Sequence, residues 1–146
     1  MIEVRRLSPD DEDLATVAGQ LNDPVWEDFD NRFSLQSLRD FVEDEDRVYL
    51  VAYIGEELVG AAHAYVMQHP TGWKHLYIDE IDTAKPHRRR GVATRLMNEL
   101  LRLAREVNAN EAWLGVDEGN DAGYALYRKL GPSGEERGAI FTYEIV

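Results

Sequence analysis

The chain contains no cysteine. That excludes a disulfide framework, a thiolate metal site and a cysteine nucleophile. Basic residues are scarce: 16 Lys and Arg stand against 28 Asp and Glu, a formal net charge of −12. Binding nucleic acid requires a basic face to neutralise phosphates, so nucleic acid is not an expected partner. Long apolar runs are missing as well. None approaches the ~20 residues that span a bilayer, and Met1-Ile2-Glu3-Val4-Arg5-Arg6 lacks the apolar centre of a signal peptide. A cytoplasmic protein without a membrane partner is expected. His63, His69, His75 and His87 have no metal-ligand spacing, and no metal is expected. Two phosphate-binding fingerprints are also absent. There is neither G-x-x-x-x-G-K-[ST] nor G-x-G-x-x-G, which excludes the nucleoside-triphosphate P-loop and the dinucleotide fold of that signature.

What is present suits one folded domain over residues 1–146, with 44% hydrophobic and 30% charged residues. The acidity attracts cations, although it serves plain solubility equally well. Alternation predicts a strand over residues 2–7. Ser8-Pro9-Asp10-Asp11 supplies an N-cap, a first-turn proline and acids for a helix running to Leu21. Ser34 caps a second helix, with Leu35, Leu38, Phe41 and Val42 on one stripe. Residues 47–54 and 58–67 form a hairpin, and residues 75–83 a central strand. A long helix covers residues 92–107, with Leu96, Leu100, Leu103 and Ala104 facing the sheet. Residues 112–116 form a short buried strand, and a helix capped by Asn120 or Asp121 ends at Gly131. Residues 139–145 form a closing strand. The result is an α/β domain with a mixed sheet flanked by helices.

His87-Arg88-Arg89-Arg90-Gly91-Val92-Ala93-Thr94 falls between the central strand and the long helix. A strand that stops, a basic loop, a glycine and a helix start aim main-chain N–H groups at a phosphate. Gly91 lets a ligand approach the backbone, and Ala93 and Thr94 keep the first turn slim. A pyrophosphate loop is the reading preferred over a solvated basic patch.

Arg88-x-x-Gly91-x-Ala93 resembles the acetyl-CoA loop, Gln/Arg-x-x-Gly-x-Gly/Ala, of the GCN5-related N-acetyltransferase (GNAT) superfamily. Asn120-Asp121-Ala122-Gly123-Tyr124-Ala125-Leu126-Tyr127-Arg128-Lys129-Leu130-Gly131 resembles its Asn-x-x-Ala-x-x-Leu-Tyr-x-Lys-x-Gly segment, with Gly123 in place of the usual alanine. Four stretches are also similar to the aminoglycoside 3-N-acetyltransferases of gentamicin resistance. They are Gly60-Ala61-Ala62-His63-Ala64-Tyr65-Val66, Leu76-Tyr77-Ile78-Asp79-Glu80-Ile81, the loop itself and Ala125-Leu126-Tyr127-Arg128-Lys129-Leu130-Gly131.

The resemblance implies an acyl-CoA N-acyltransferase domain that takes acetyl-CoA and acetylates an amine. Arg88, Arg89, Arg90, Gly91, Val92, Ala93 and Thr94 would hold the pyrophosphate. Ile81, Asp82 and Thr83 would pair with the pantetheine arm, and one of their amides would serve the oxyanion. Tyr127 would protonate the departing thiolate, against a packing role beside Tyr124. Asn120 would contact the cofactor, act as a helix N-cap, or do both. Glu80 would accept the amine proton or hold the ammonium by charge.

Alternation puts Glu80 and Asp82 on one face and Asp79 on the other, unless a bulge intervenes. Asp79, Asp117, Glu118, Asp121 and Glu144 are further candidates for binding a cationic substrate, as are Asp28 and Asp30, although each also reads as solvated surface. The implied reaction is acetylation of the 3-amino group of the deoxystreptamine ring, with a homodimer left open. The alternatives are another amine (a polyamine, an amino acid or a protein N-terminus) or a CoA-binding module without turnover.

Overall fold

A computed structural model of the chain describes residues 1–23, 26 and 32–146. Asp28 and Asp30 lie outside the described residues. The chain divides into two compact units, Met1–Gly115 and Val116–Val146.

The first unit is built on a five-stranded sheet in the order β1-β2-β3-β4-β5. Its strands are β1 (Ile2–Arg6), β2 (Arg47–Ile54), β3 (Glu57–Gln68), β4 (Lys74–Thr83) and β5 (Glu111–Leu114). The β1–β2, β2–β3 and β3–β4 pairs are antiparallel, and β4–β5 is parallel. The sheet is therefore mixed, as expected. Three helices accompany it: α1 (Leu14–Leu21), α2 (Leu35–Val42) and α3 (Val92–Glu106).

On one side of the sheet, Leu14, Val17, Leu21, Leu38 and Val42 from α1 and α2 form a buried cluster with Tyr49, Val51 and Ala61. Ser34 caps α2 as predicted: its Oγ accepts from Ser37 N at 3.0 Å, and Ser37 Oγ accepts from Ser34 N at 3.0 Å. Such a cap contributes about 1 kcal/mol. Leu38 and Val42 of the predicted stripe are buried, whereas Leu35 is exposed.

α3 buries Val92, Leu96, Met97, Leu100, Leu103 and Ala104. Gly60 on β3 is what admits its first turn. A Cβ there would clash with Val92 Cγ1 and come within 3.1 Å of Leu96 Cδ1 and 3.3 Å of the Asp82 carbonyl. The start of α3 is thus seated where β3 and β4 run side by side.

Three expectations are corrected. α1 begins at Leu14 and not after Ser8. Asp11 N donates to Ser8 O at 3.1 Å, Ser8 N donates to Asp11 Oδ2 at 2.8 Å, and Arg5 grips Asp13 through bonds of 3.1 and 2.8 Å. These local side-chain bonds compete with a helical turn and win. β5 is not a buried strand: it spans four residues, with Glu111 and Trp113 exposed, because among the described residues it pairs only with β4, at the edge of the sheet.

The predicted closing strand over residues 139–145 is absent, and Ile140, Phe141, Tyr143 and Ile145 are exposed. Alternation makes a strand only where a neighbouring ladder accepts it. The second unit contains one helix, α4 (Asp121–Lys129), followed by Leu130 as C-cap and by Gly131 at φ +73°. That is the left-handed exit the sequence predicted.

Gly60→Ala is expected to cost about 1–3 kcal/mol by overpacking. Urea denaturation followed by circular dichroism measures the loss, and acetyl-CoA affinity should fall with it, because the displaced residue is Val92 at the head of α3.

Candidate active site

β4 ends at Thr83, and the main chain is at once pinned, with Ala84 N donating to Val59 O at 2.8 Å. A single 3-10 turn, Lys85–His87, follows. Arg88 is extended, Arg89 adopts φ +65°, and Gly91 adopts φ +82° as the N-cap of α3. Gly91 has no capping side chain, so the first-turn N–H groups of α3 are not occupied by one. A Cβ on Gly91 would meet open space, although its φ is strained for any L residue.

The loop is anchored at its start. His87, only 12% exposed, places Nε2 2.9 Å from Glu57 Oε1 on β3, and Arg90 Nη1 lies 3.4 Å from its Nδ1. Arg88, Arg89 and Arg90 are exposed. The Val92 side chain is buried, which leaves its main chain to face a ligand, while Ala93 and Thr94 are half-buried.

β5 pairs with β4 only from His75 to Ile78, opposite Glu111 to Leu114. Beyond Ile78, β4 continues along β3 to Thr83, with no β5 partner on its other edge among the described residues. Asp79 to Thr83, including the predicted Ile81, Asp82 and Thr83, therefore lie where the two parallel strands part.

The register of β3 against β4 changes within this stretch. His63 faces Glu80 but Ala64 faces Ile78, so Asp79 is an extra residue without a partner on β3. This β-bulge is the exception allowed for in the alternation argument. It overturns the expectation that Asp79 lies opposite Glu80 and Asp82. Asp82 pairs with Ala61 and Glu80 with His63, on the same face as Tyr65 and Tyr77 beyond the bulge.

The Asp79 carboxylate joins them there. Its Oδ2 lies 2.9 Å from His63 Nε2, and its Oδ1 accepts from Tyr77 Oη at 3.1 Å. Nearby, the His63 ring stacks on Tyr49 at 5.9 Å and meets the edges of Phe41 and Tyr65 at 5.6 and 6.0 Å. Burial, then the charges of Glu80 and Asp82, push the Tyr49 hydroxyl well above the ordinary tyrosine range. Burial and the bond to Asp79 raise Tyr77 as well.

The remaining predicted residues belong to the second unit. Asn120 caps α4, its Oδ1 accepting from Gly123 N at 2.9 Å. A Cβ at Gly123 would come within 2.8 Å of Asn120 Nδ2 and 2.9 Å of Val116 Cγ2, so these side chains would have to shift for the usual alanine. Tyr127 is half-buried on α4. The Arg128 guanidinium lies 4.8 Å over the Tyr124 ring and binds both carboxylate oxygens of Glu135, at 2.7 and 2.9 Å.

Glu118 and Asp121 line an open depression of about 310 Å³ with Tyr124, Arg128 and Arg137. The two arginines make it mixed in charge. Asp117 is exposed at the turn before α4, and Glu144 is exposed on the segment that forms no strand.

Residues 16–131 match the acetyltransferase (GNAT) family. The chain belongs to that family. Among relatives, N-alpha-acetyltransferase 30 of Xenopus laevis is 25% identical over 119 residues, covering 82% of this chain and 43% of its own length. The Homo sapiens protein is 25% identical over the same share of this chain, which spans 32% of it. An aminoglycoside acetyltransferase from an uncultured soil metagenomic sample, solved with sisomicin, superposes with a TM-score of 0.86 at 19% identity, over 99% of this chain and 97% of that one. That is a likeness of fold. A second soil aminoglycoside acetyltransferase has a TM-score of 0.81 at 28% identity, over 100% and 99% of the two chains.

GNAT acetyltransferases use acetyl-CoA. The residues present in this GNAT chain fit that donor. They offer an uncapped helix start, open space before Gly91, three arginines in the loop and a β4 edge that β5 leaves unpaired. Three contributors were not singled out as site residues from the sequence: Gly60, the Glu57–His87 tether and His63. The bulge did leave a sequence signal. The apolar positions of β4 run Leu76, Ile78, Ile81, a spacing of two and then three, which is how an extra residue is written into a strand.

Gly91→Glu places a carboxylate where a pyrophosphate would lie. Calorimetry should find acetyl-CoA binding lost while the thermal transition persists, lowered by the strain already present at φ +82°.

Proposed function

We propose that this protein is an acetyl-CoA-dependent aminoglycoside N-acetyltransferase of the cytoplasm. It acetylates the 3-amino group of the deoxystreptamine ring and so confers resistance. The observation that carries the reading is the bulge in β4, which sets Asp79 beside Glu80 and Asp82 on one face where β4 and β5 part. A polycationic acceptor suits such a face, and the net charge of −12 concentrates cations around it.

Acetyl-CoA supplies a thioester-activated acetyl group. Arg88, Arg89 and Arg90, with the main chain of Gly91, Val92, Ala93 and Thr94, bind its pyrophosphate through charge and N–H donors. Ile81, Asp82 and Thr83 would hold the pantetheine arm, and one of their main-chain N–H groups would donate to the thioester carbonyl oxygen. Glu80 takes the proton of the substrate ammonium, directly or through water, which frees the nitrogen lone pair. Tyr127 would hold, on its hydroxyl, a proton for the sulfur of the leaving group. Asn120, whose Oδ1 is engaged by the cap, has its amide N–H groups left for the cofactor. Asp79 holds a further ammonium group, and Asp117, Glu118, Asp121 and Glu144 of the second unit are further candidates for binding a cation.

A second reading, acetylation of a protein N-terminus, is favoured by the 25% identity to N-alpha-acetyltransferase 30. A thiol-release assay with acetyl-CoA and gentamicin, kanamycin, spermidine and peptides separates the two. Gentamicin-type substrates should release CoA, with a KM that rises with salt, because exposed charges are screened beyond a Debye length of ~8 Å. Release with peptides alone would overturn the aminoglycoside reading.

Tyr127→Phe should lower kcat by ~10²–10⁴-fold, the usual contribution of a general acid, with acetyl-CoA affinity nearly unchanged. Glu80→Gln should lower kcat and raise KM for the amine. Wild-type turnover in either variant would remove that residue from the mechanism.

A further inference from the structure

The amine-facing side of β4 contains a grip on Asp79 to which the acetyl-transfer reading gives no role. Asp79 has no backbone partner on β3, so the strand ladder alone does not fix the direction of its side chain. Two side chains do so instead. His63 approaches from β3, its Nε2 2.9 Å from Oδ2, and Tyr77 approaches along β4, its Oη 3.1 Å from Oδ1. A carboxylate only accepts hydrogen bonds, so the His63 ring presents its Nε2–H to Asp79. His63 is held in turn by stacking on Tyr49, by the edge of Phe41 from α2, and by Tyr65. It is 17% exposed, whereas Asp79 is 36% exposed. The half-buried ring therefore grips a carboxylate that still reaches solvent.

We infer that His63 is a positioning residue that locks Asp79 as a second ammonium anchor beside Glu80, selecting acceptors that carry two neighbouring amino groups. The inference rests on the acetyl-transfer reading and on Glu80 meeting the reacting amine. Adjacent residues have Cα atoms about 3.8 Å apart, so the two carboxylates serve two nitrogens of one small molecule. A monoamine can engage only one of them. A carboxylate directed by two charge-assisted bonds is preorganised, and it loses less freedom on meeting a cation than an unrestrained one would. Hydrogen bonding by His63, and not its bulk, is what the inference requires.

The experiment compares kcat/KM for a diamine whose amino groups sit on neighbouring or alternate carbons with that for the matched monoamine. His63→Leu keeps apolar bulk and loses the donor, whereas His63→Gln keeps an N–H donor in a smaller side chain. In His63→Leu the diamine-to-monoamine ratio should fall about tenfold, carried by KM for the diamine more than by kcat. His63→Gln should stay near the wild-type ratio, and Asp79→Asn should fall at least as far as His63→Leu.

A merely structural histidine predicts the reverse order, with Leu tolerated as well as Gln or better, and that result would overturn the inference. So would equal ratios in wild type and Asp79→Asn. If Asp79→Asn fails to give a cooperative thermal transition, the Leu-against-Gln order decides alone. Absence of CoA release from the wild-type protein with every amine would instead overturn acetyl transfer itself.

Discussion

One extra residue in β4 decides which side chains share each face of that strand. On the side nearer β5's partners, Leu76 and Ile78 point to the face that meets α3. Beyond Asp79, Ile81 and Thr83 take over that duty. Without the bulge, a strict period of two would turn half of the strand inside out. With it, both halves keep their apolar residues together, and the surplus residue is an acid. The same irregularity that rescues the packing gathers Asp79, Glu80 and Asp82 on one face.

The second constraint is the close approach of α3 to the sheet at Gly60. Only a residue without a Cβ lets Val92 and Leu96 settle there. The end of β4 and the head of α3 are thereby brought to one place, with the arginine loop between them. The Glu57–His87 contact and the bond from Ala84 N to Val59 O tie both ends of the connection back to β3. A helix start leaves N–H groups without partners, and here nothing from a capping side chain takes them. Fold-level likeness to other acetyltransferases follows from this framework, and it does not by itself name an acceptor.

Much of this was legible in the chain because its signals are local. The Ser34 cap, the apolar stripe of α3, the basic loop ending in Gly91 and the left-handed Gly131 each depend on a few neighbouring residues. Each appears in the structure where the sequence put it. Arg88-x-x-Gly91-x-Ala93 and the segment from Asn120 to Gly131 likewise pointed to the acetyltransferase family before any contact was known.

Tertiary structure decided whatever needs a partner distant in sequence. The helix predicted from Ser8 loses its first turns to Arg5 and the Asp11 carboxylate, which a reading of propensities does not weigh. The alternation of residues 139–145 produces no strand, because alternation alone does not make one. Asp79 changes faces because β3 allots it no partner, and it is then held by His63, sixteen residues earlier in the chain. Local preferences follow from covalent geometry and are written into each segment. Register, edges and grips between side chains follow from which surfaces meet, and only the folded sheet supplies those.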